Sequence, residues 1–346
     1  MSMFGPKYTI TQKLLANIKC IAALVAELNS KSFPKVVLAE FERRARELSA
    51  FSSTSIEGNP LPLTDVKRIL KNKPVYIRDS EREVLNYNKT LLRLNESAEK
   101  GKVTFNLELI LNIQKSIMQG LIQSYGCGKI RREAVFVNDP RSGKTVYLPP
   151  DYQDAPLLMK ELLNYIKINK SVVDSLILAG IFHKQFVLIH PFIDGNGRTA
   201  RLAAKVLLAG MGLNTFNLFS FENYYNNNVT RYFQNVGAIG NYYDIKNKID
   251  FTGWLEYFTE GIIDELMRVE KELKTAAASP ETELKPHHRK IIKHIKENGF
   301  ITDKKYARLV SRAKPTRNLD FRKLIKMEMI EKFGKGKATY YKFKIL

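Results

Sequence analysis

Apolar residues recur at helical spacing through residues 1–275, and this pattern predicts a mainly α-helical region. In 171–189, for example, Ala179, Phe182, His183 and Phe186 are three or four positions apart. Six further segments share this periodicity, and we expect helices there: 35–48, 81–98, 106–119, 155–169, 198–211 and 252–274.

One segment of this region, 134–148, has the pattern of a β-hairpin instead. Val135 and Val137 alternate with other residues, 139–143 contains the turn formers Asp, Pro, Ser and Gly, and a Thr-Val-Tyr run follows. We therefore expect a helical fold that carries one hairpin.

The last part of the chain is expected to be a separate module. Residues 275–284 are small and polar with one Pro, which is typical of a linker. The remaining residues predict helices at 289–298, 303–310 and 316–327 and then a hairpin formed by 329–333 and 339–343, which is the order of a winged helix. The predicted domains are thus an N-terminal helical region (1–100), a core (101–274), a linker (275–284) and a winged helix-turn-helix domain (285–346).

The charge supports this division. The formal net charge is +21, and residues 285–346, with 19 basic and five acidic side chains, carry +14 of it. A basic winged helix is typical of a DNA reader, although many winged helices bind proteins. The candidate DNA contacts are the basic residues on or beside the second helix and the wing: Lys314, Arg317, Arg322, Lys323, Lys326, Lys332, Lys335 and Lys337.

Composition excludes several classes of protein. Hydrophobic residues make up 44% and charged residues 26% of the chain, which excludes wholesale disorder. The two cysteines, Cys20 and Cys127, exclude a disulfide framework and a four-thiolate zinc site. The N-terminus has no basic stretch followed by an apolar run, and the apolar stretches are too short to span a bilayer. We expect a cytoplasmic protein with no membrane partner.

Residues 190–201, His-Pro-Phe-Ile-Asp-Gly-Asn-Gly-Arg-Thr-Ala-Arg, concentrate groups that bind a Mg-polyphosphate. The glycines on either side of Asn196 let the backbone present N–H groups to an anion, next to the positive end of the following helix. Arg198 and Arg201 lie three apart, on one helical face above that anion. Asp194 offers an oxygen ligand for Mg²⁺, and His190 is a candidate general base.

This string resembles the signature of the Fic (Fido) family, His-x-Phe-x-Asp/Glu-Gly-Asn-Gly-Arg-x-x-Arg, and matches it at every defined position. The resemblance implies a helical Fic core and adenylylation: a target hydroxyl of Ser, Thr or Tyr attacks the α-phosphate of ATP and releases pyrophosphate. It implies that His190 is the base, that Asp194 holds Mg²⁺ and that 195–197 form the anion nest. Arg198 and Arg201 would contact the outer phosphates, and Thr199 and Ala200 would border the nucleotide.

Ser53-Thr-Ser-Ile-Glu57-Gly58 resembles the inhibitory motif of the same family, Ser/Thr-x-x-x-Glu-Gly/Asn. If Glu57 lies on a short helix near the site, it can pair with Arg201 and occupy the position of the γ-phosphate. ATP would then bind only with its α-phosphate misaligned. The alternative is a surface or capping role, with Ser53 as a helix N-cap.

The resemblance also assigns two further regions. The hairpin looks like the family's target-docking flap, in which Val135, Phe136 and Val137 register an extended target segment. Asn228 and Tyr232 lie where the family places residues near adenine. Both assignments compete with a purely structural role.

Two alternatives to adenylylation remain at this point. One is a DNA-binding regulator whose Fic core senses nucleotide, and the other is transfer of a different phosphate-containing group. The sequence leaves open the identity of the target protein, self-modification, what relieves inhibition, and a homodimer that buries the inhibitory segment.

Overall fold

The computed structural model describes residues 4–31, 33, 35–138, 143–210, 217–278, 284–327 and 329–344. These residues form two compact units. The larger unit comprises Met1–Lys31 and Glu42–Val269, and the smaller comprises Ser32–Phe41 and Glu270–Leu346. The expectation of a mainly helical fold is confirmed.

The helices of the first 278 residues are, in chain order, α1 (Gln12–Ser30), α2 (Lys35–Ser55), α3 (Leu63–Lys71), α4 (Asp79–Glu99), α5 (Leu107–Met118), α6 (Ala155–Asn169), α7 (Ser175–Ile189), α8 (Asn196–Gly210), α9 (Phe221–Asn227), α10 (Val229–Val236), α11 (Tyr242–Ile245) and α12 (Thr252–Ala278). Short strands lie among them: β1 (Val137–Asn138), β2 (Thr145–Leu148) and β3 (Gly240–Asn241).

Helix α7 is the centre of the larger unit. It is apolar along almost its whole length, and such a helix is stable only when it is surrounded; nearly all of its residues are buried. Helices α6, α8 and α10 pack against it, and the Trp254 indole of α12 donates to the Gly180 carbonyl at 2.7 Å. The loop at residues 190–195, which contains the first half of the signature, connects this buried helix to α8.

The segment at 134–148 contains two antiparallel strands, as expected, with Val137 opposite Tyr147. Of the expected turn at 139–143, residues 139–142 lie outside the described residues. Strand β1 has only two residues, so Val135 and Phe136 precede the strand instead of belonging to it. The sequence did not predict β3, which pairs in parallel with β2 and places Gly240 opposite Tyr147.

The smaller unit contains α13 (Pro286–Asn298), α14 (Asp303–Leu309), α15 (Lys314–Lys326) and the antiparallel strands β4 (Ile330–Phe333) and β5 (Tyr340–Phe343). This is the predicted element order, and Ile301 adds a bridge to Tyr341. Among the residues that the structure describes in this unit, eight buried ones form the core: Ile291, Ile295, Ile301, Tyr306, Phe321, Leu324, Ile330 and Tyr341. Within the described residues of both units, no helix is long and apolar enough to cross a bilayer.

Two helices extend beyond their expected ends. Helix α2 continues past residue 48 to Ser55, so Ser53 lies inside its last turn and is not an N-cap. Helix α12 continues past residue 274 to Ala278, because the alanines at this end are strong helix formers. The first four residues of the expected linker are therefore helical, and 279–283 lie outside the described residues.

We predict that Gly180→Ala destabilises the larger unit. A Cβ at Gly180 would lie 2.6 Å from Cδ2 of Leu255 and 3.3 Å from Cδ1 of Phe258, so α7 and α12 would be overpacked. Overpacking of this kind costs about 1–3 kcal/mol in the free energy of unfolding. Urea denaturation followed by the fluorescence of Trp254, the one tryptophan of the chain, measures it.

Gly253→Ala on α12 is the matched control, since a Cβ there meets nothing within 4 Å. Its free energy of unfolding should stay the same or rise by up to about 1 kcal/mol. Equal destabilisation by both substitutions would contradict the packing account.

Candidate active site

His190 ends α7 in a left-handed backbone conformation (φ 50°, ψ 57°), the one positive φ outside glycine among the described residues. Its Nδ1 lies 3.1 Å from the Val187 carbonyl, to which it donates, so Nε2 keeps its lone pair. Burial lowers the pKa of the imidazole below its usual 6.5, although the Val187 carbonyl and Glu57 oppose this shift. His190 is thus neutral and able to accept a proton at pH 7.

Arg131, which precedes the hairpin segment in the chain, stabilises the turn at His190 by hydrogen bonds. Its side chain is buried, and Nε donates to the His190 carbonyl at 2.8 Å while Nη1 donates to the Glu133 carbonyl at 3.1 Å. Its Nη2 donates to the Pro150 carbonyl. One guanidinium therefore connects the turn at His190 with both ends of the hairpin segment.

The loop between α7 and α8 is fixed by its own side chains. Asn196 accepts from the Phe192 amide at 3.0 Å and donates to the Phe192 carbonyl at 2.8 Å, so its side chain shapes the loop. Gly195 has a φ of 82°, a conformation that suits glycine. Thr199 and Ala200, which were expected to border the nucleotide, are completely buried in the first turn of α8.

Arg201 is fully buried and surrounded by hydrogen-bond acceptors. Its Nε donates to Ser53 Oγ and its Nη2 to the Ser53 carbonyl, each at 2.8 Å. Its Nη1 donates to Tyr232 Oη at 3.2 Å, and Nη2 also pairs with Glu57 Oε1 at 2.7 Å. A buried guanidinium requires such a set of partners, because an unpaired charge in the interior is very costly.

Glu57 lies in the turn that follows α2, and not on a short helix of its own. Its carboxylate contacts the start of α8 so closely that a Cβ at Gly197 would collide with Oε1. Burial alone would raise the pKa of Glu57, but the charges of Arg201 and Arg198 outweigh it and hold the pKa below the usual 4.5. A negative charge therefore occupies the predicted anion nest at neutral pH.

Arg198 is held by two carboxylates. Nη2 pairs with Asp194 Oδ1 at 2.8 Å, and Nη1 pairs with Glu83 of α4. Glu83 in turn accepts from Asn59 Nδ2 at 2.6 Å. Burial, with Glu57 and Asp194 nearby, raises the pKa of Glu83 above its usual value, and Arg198 opposes the shift.

A cavity of about 560 Å³ lies within the larger unit. Glu57, Gly197 and His190 lie on its wall, and the remaining lining is largely apolar: Ile56, Phe136, Val137, Val146, Tyr147, Val187, Leu188, Val229, Tyr232, Phe233, Val236 and Ala238. Asn228, expected near adenine, caps α10 by accepting from the Arg231 amide at 3.0 Å and is not among the lining residues. A polar end beside an apolar chamber fits a phosphorylated nucleoside.

Residues 104–208 match the family model of the Fic/DOC family. This part of the chain is a Fic/DOC domain. The match covers α5 to α8 and the signature loop between the last two of these helices. It agrees with the family resemblance of residues 190–201.

Curated relatives support the same assignment. Protein adenylyltransferase Fic of Drosophila erecta is 30% identical over 178 residues, which cover 49% of this chain and 34% of that protein. Protein adenylyltransferase Fic of Culex quinquefasciatus is 26% identical over 217 residues, or 57% of this chain and 42% of that protein. The chain thus spans less than half the length of these relatives.

Solved structures show the same fold. A Fic family protein from Desulfovibrio desulfuricans G20 superposes with a TM-score of 0.65 at 21% identity and covers 99% of this chain and 98% of its own. Fic-1 from C. elegans superposes with a TM-score of 0.59 at 20% identity and covers 76% of this chain and 73% of its own. The expected Fic fold is confirmed.

Sequence reasoning missed several contributors to the site. Glu83 pairs with Arg198 and is itself held by Asn59, and Arg131 holds the His190 turn, although none of the three lies within the two motifs. Asn59 directly follows the inhibitory motif, and this adjacency was the one signal in the sequence. Nothing in the local sequence distinguishes Glu83 or Arg131 from other charged residues.

We predict that Ser53→Ala lowers the free energy of unfolding of the larger unit by about 1–3 kcal/mol, because Nε of the buried Arg201 loses its acceptor. Urea denaturation with Trp254 fluorescence measures the loss. Ser55→Ala, two residues along the same helix, is the control and should change the value by at most about 0.5 kcal/mol. Equal losses in both variants would exclude this role for the Ser53–Arg201 contact.

Proposed function

We propose that this chain is a protein adenylyltransferase that transfers AMP from ATP to a hydroxyl group of a target protein or of itself. The observation that carries the proposal is the convergence of a neutral His190, the start of α8 and the Arg201 guanidinium beside one cavity with an apolar chamber. A base and an anion site in contact with a nucleoside-sized chamber are what transfer from a nucleotide requires. The names of the curated relatives agree with this activity.

In the proposed reaction, the target oxygen forms a bond to the α-phosphorus of ATP. The bond from that phosphorus to the bridging oxygen of pyrophosphate breaks, and pyrophosphate leaves. The hydroxyl proton passes to Nε2 of His190, which the Val187 contact at Nδ1 leaves unprotonated. The N-terminus of α8, with Arg198 and Arg201, stabilises the negative charge on the phosphates.

Asp194 is the proposed ligand for Mg²⁺. Its side chain is about half exposed and offers the oxygen donors that Mg²⁺ prefers, so the residue fits the ion together with waters and phosphate oxygens. When bound, the ion would neutralise charge between the α- and β-phosphates. Arg198 pairs with the same Asp194 carboxylate. This arginine would therefore already be positioned near the magnesium site when ATP binds.

Glu57 is proposed to inhibit the transfer. Its carboxylate lies against Gly197 and pairs with Arg201. The outer phosphate of a productively bound ATP would lie at this same position. While Glu57 occupies this position, the outer phosphate cannot reach the same face of the Arg201 guanidinium, so ATP would bind with its α-phosphate misaligned. The hairpin, with Phe136 exposed on its approach to β1, is proposed to dock the target.

We predict that Glu57→Gly increases protein-bound label from ATP labelled on the α-phosphate by at least roughly tenfold, since Arg201 is released from a charged partner. Adding His190→Ala to this variant should reduce the label by about 10²–10⁴-fold, because the base is lost. The assay uses Mg²⁺, with and without a bacterial lysate as a source of targets. Label from the γ-phosphate alone would identify a kinase instead, and no label in any variant would favour the nucleotide-sensor alternative.

We also predict the pH dependence of the Glu57→Gly variant. Only neutral His190 accepts a proton, so kcat/KM falls as the pH drops through the pKa of this imidazole, which burial places below 6.5. The negative charge of Glu57 raises this pKa. Its removal therefore lowers the pKa and moves the fall in kcat/KM to still lower pH. A fall centred above pH 7 would contradict the assignment of His190 as a neutral base.

A separate proposal concerns the smaller unit, which is predicted to be a winged helix that binds duplex DNA. Lys314, Arg322, Lys332 and Lys335 are exposed there, whereas Arg317 is occupied by Asp303 at 2.8 and 2.9 Å. Arg317 is therefore no longer proposed as a DNA contact. Salt-dependent retention on duplex DNA that weakens in Lys335→Glu and Lys337→Glu would support the proposal, and no retention at low salt would exclude it.

A further inference from the structure

Two histidines and an aspartate converge inside the smaller unit. His287 and His288 lie in the first turn of α13, and Asp320 lies on α15. The Nε2 atoms of the two histidines are 3.3 and 3.4 Å from Asp320 Oδ1, and the three atoms all lie within 4.8 Å of one another. His288 and Asp320 are buried, and the side chain of His287 is 17% exposed.

These separations are compatible with three ligands of one metal ion. A hydrogen bond between a ring nitrogen and a carboxylate oxygen is usually 2.7–3.2 Å long, and both distances exceed that range. In a tetrahedral zinc site with bonds of about 2.0–2.1 Å, neighbouring ligand atoms lie about 3.3–3.4 Å apart. Two of the three separations therefore match the edges of a zinc tetrahedron.

Neighbouring side chains hold the Asp320 carboxylate in one orientation, as the outer residues of a metal site do for its ligands. Asp320 Oδ2 accepts from Tyr306 Oη at 2.8 Å and from Arg312 Nε at 2.9 Å, and Arg312 Nη2 lies 3.1 Å from Oδ1. Such outer contacts orient ligating groups and are a regular part of metal sites. The positive charge of Arg312 is offset by the carboxylate that it orients.

We propose that His287 Nε2, His288 Nε2 and Asp320 Oδ1 bind one Zn²⁺ ion, with water as the fourth ligand. The ion would join the start of α13 to α15 in a unit whose core consists of eight buried residues, and small units of this kind commonly gain stability from a metal. The site lies outside the Fic/DOC domain, so the proposal does not depend on the proposed adenylylation.

The test is zinc binding by the full-length chain, prepared without a polyhistidine tag and freed of metal. Equilibrium dialysis with elemental analysis should find one zinc per chain, and Co²⁺ in its place should give the visible absorption of a tetrahedral site. His287→Ala should weaken binding by at least roughly tenfold, since it removes a ligand, and Tyr306→Phe by roughly tenfold, since it removes an outer contact.

His294→Ala is the matched control, because His294 lies on the same helix and contacts Asn298 and not Asp320. It should bind zinc as tightly as the natural chain. Circular dichroism confirms that each variant is folded, and zinc should raise the melting temperature of the His294 variant but not of the His287 variant. Absence of bound zinc in the natural chain, or equal affinity in the two histidine variants, would overturn the proposal and leave a hydrogen-bonded cluster alone.

Discussion

The complete burial of Arg201 is the constraint on which the rest of the larger unit depends. A guanidinium without solvent requires acceptors on every side, and here α2, α10 and the turn at Glu57 supply them. These segments are distant in the chain and meet because one charge must be satisfied. In the proposed function the same charge attracts a phosphate of ATP, so structural stability and nucleotide binding would compete for one group.

The contact between α2 and α8 is polar over three turns. Lys205 Nζ donates to Ser49 Oγ at 2.7 Å and pairs with Glu222 at 3.1 Å, one turn beyond the contact of Ser53 with Arg201. Ser49, Ser53 and Glu57 follow one another at intervals of four residues, and so do Gly197, Arg201 and Lys205. Ser49 thus faces Lys205, Ser53 faces Arg201, and Glu57 faces Gly197. Loss of Glu57 removes the last of these contacts and leaves the others, so α2 can stay docked while the phosphate position is freed.

Much of the site was predictable because its chemistry is local in the sequence. Most long helices follow from periodicity and the phosphate-binding character of residues 190–201 from their chemistry, whereas the ion pair of Glu57 with Arg201, 144 residues apart, was expected only from the family resemblance. Helices α9 and α10 were missed because they have only seven and eight residues, too few for a clear helical periodicity, although Asn228 caps α10. Glu83 and Arg131 were missed because their partners lie 115 and 59 residues away, and no local pattern encodes such contacts.

The most direct test of the central claim compares the binding of ATP and AMP by calorimetry, in the natural chain and in Glu57→Gly. In the proposed function both nucleotides would use the apolar chamber, but only ATP has outer phosphates that would compete with Glu57 for Arg201. The account predicts that the substitution raises the affinity for ATP by at least roughly tenfold and leaves that for AMP unchanged. Equal changes for the two nucleotides, or none for ATP, would contradict it.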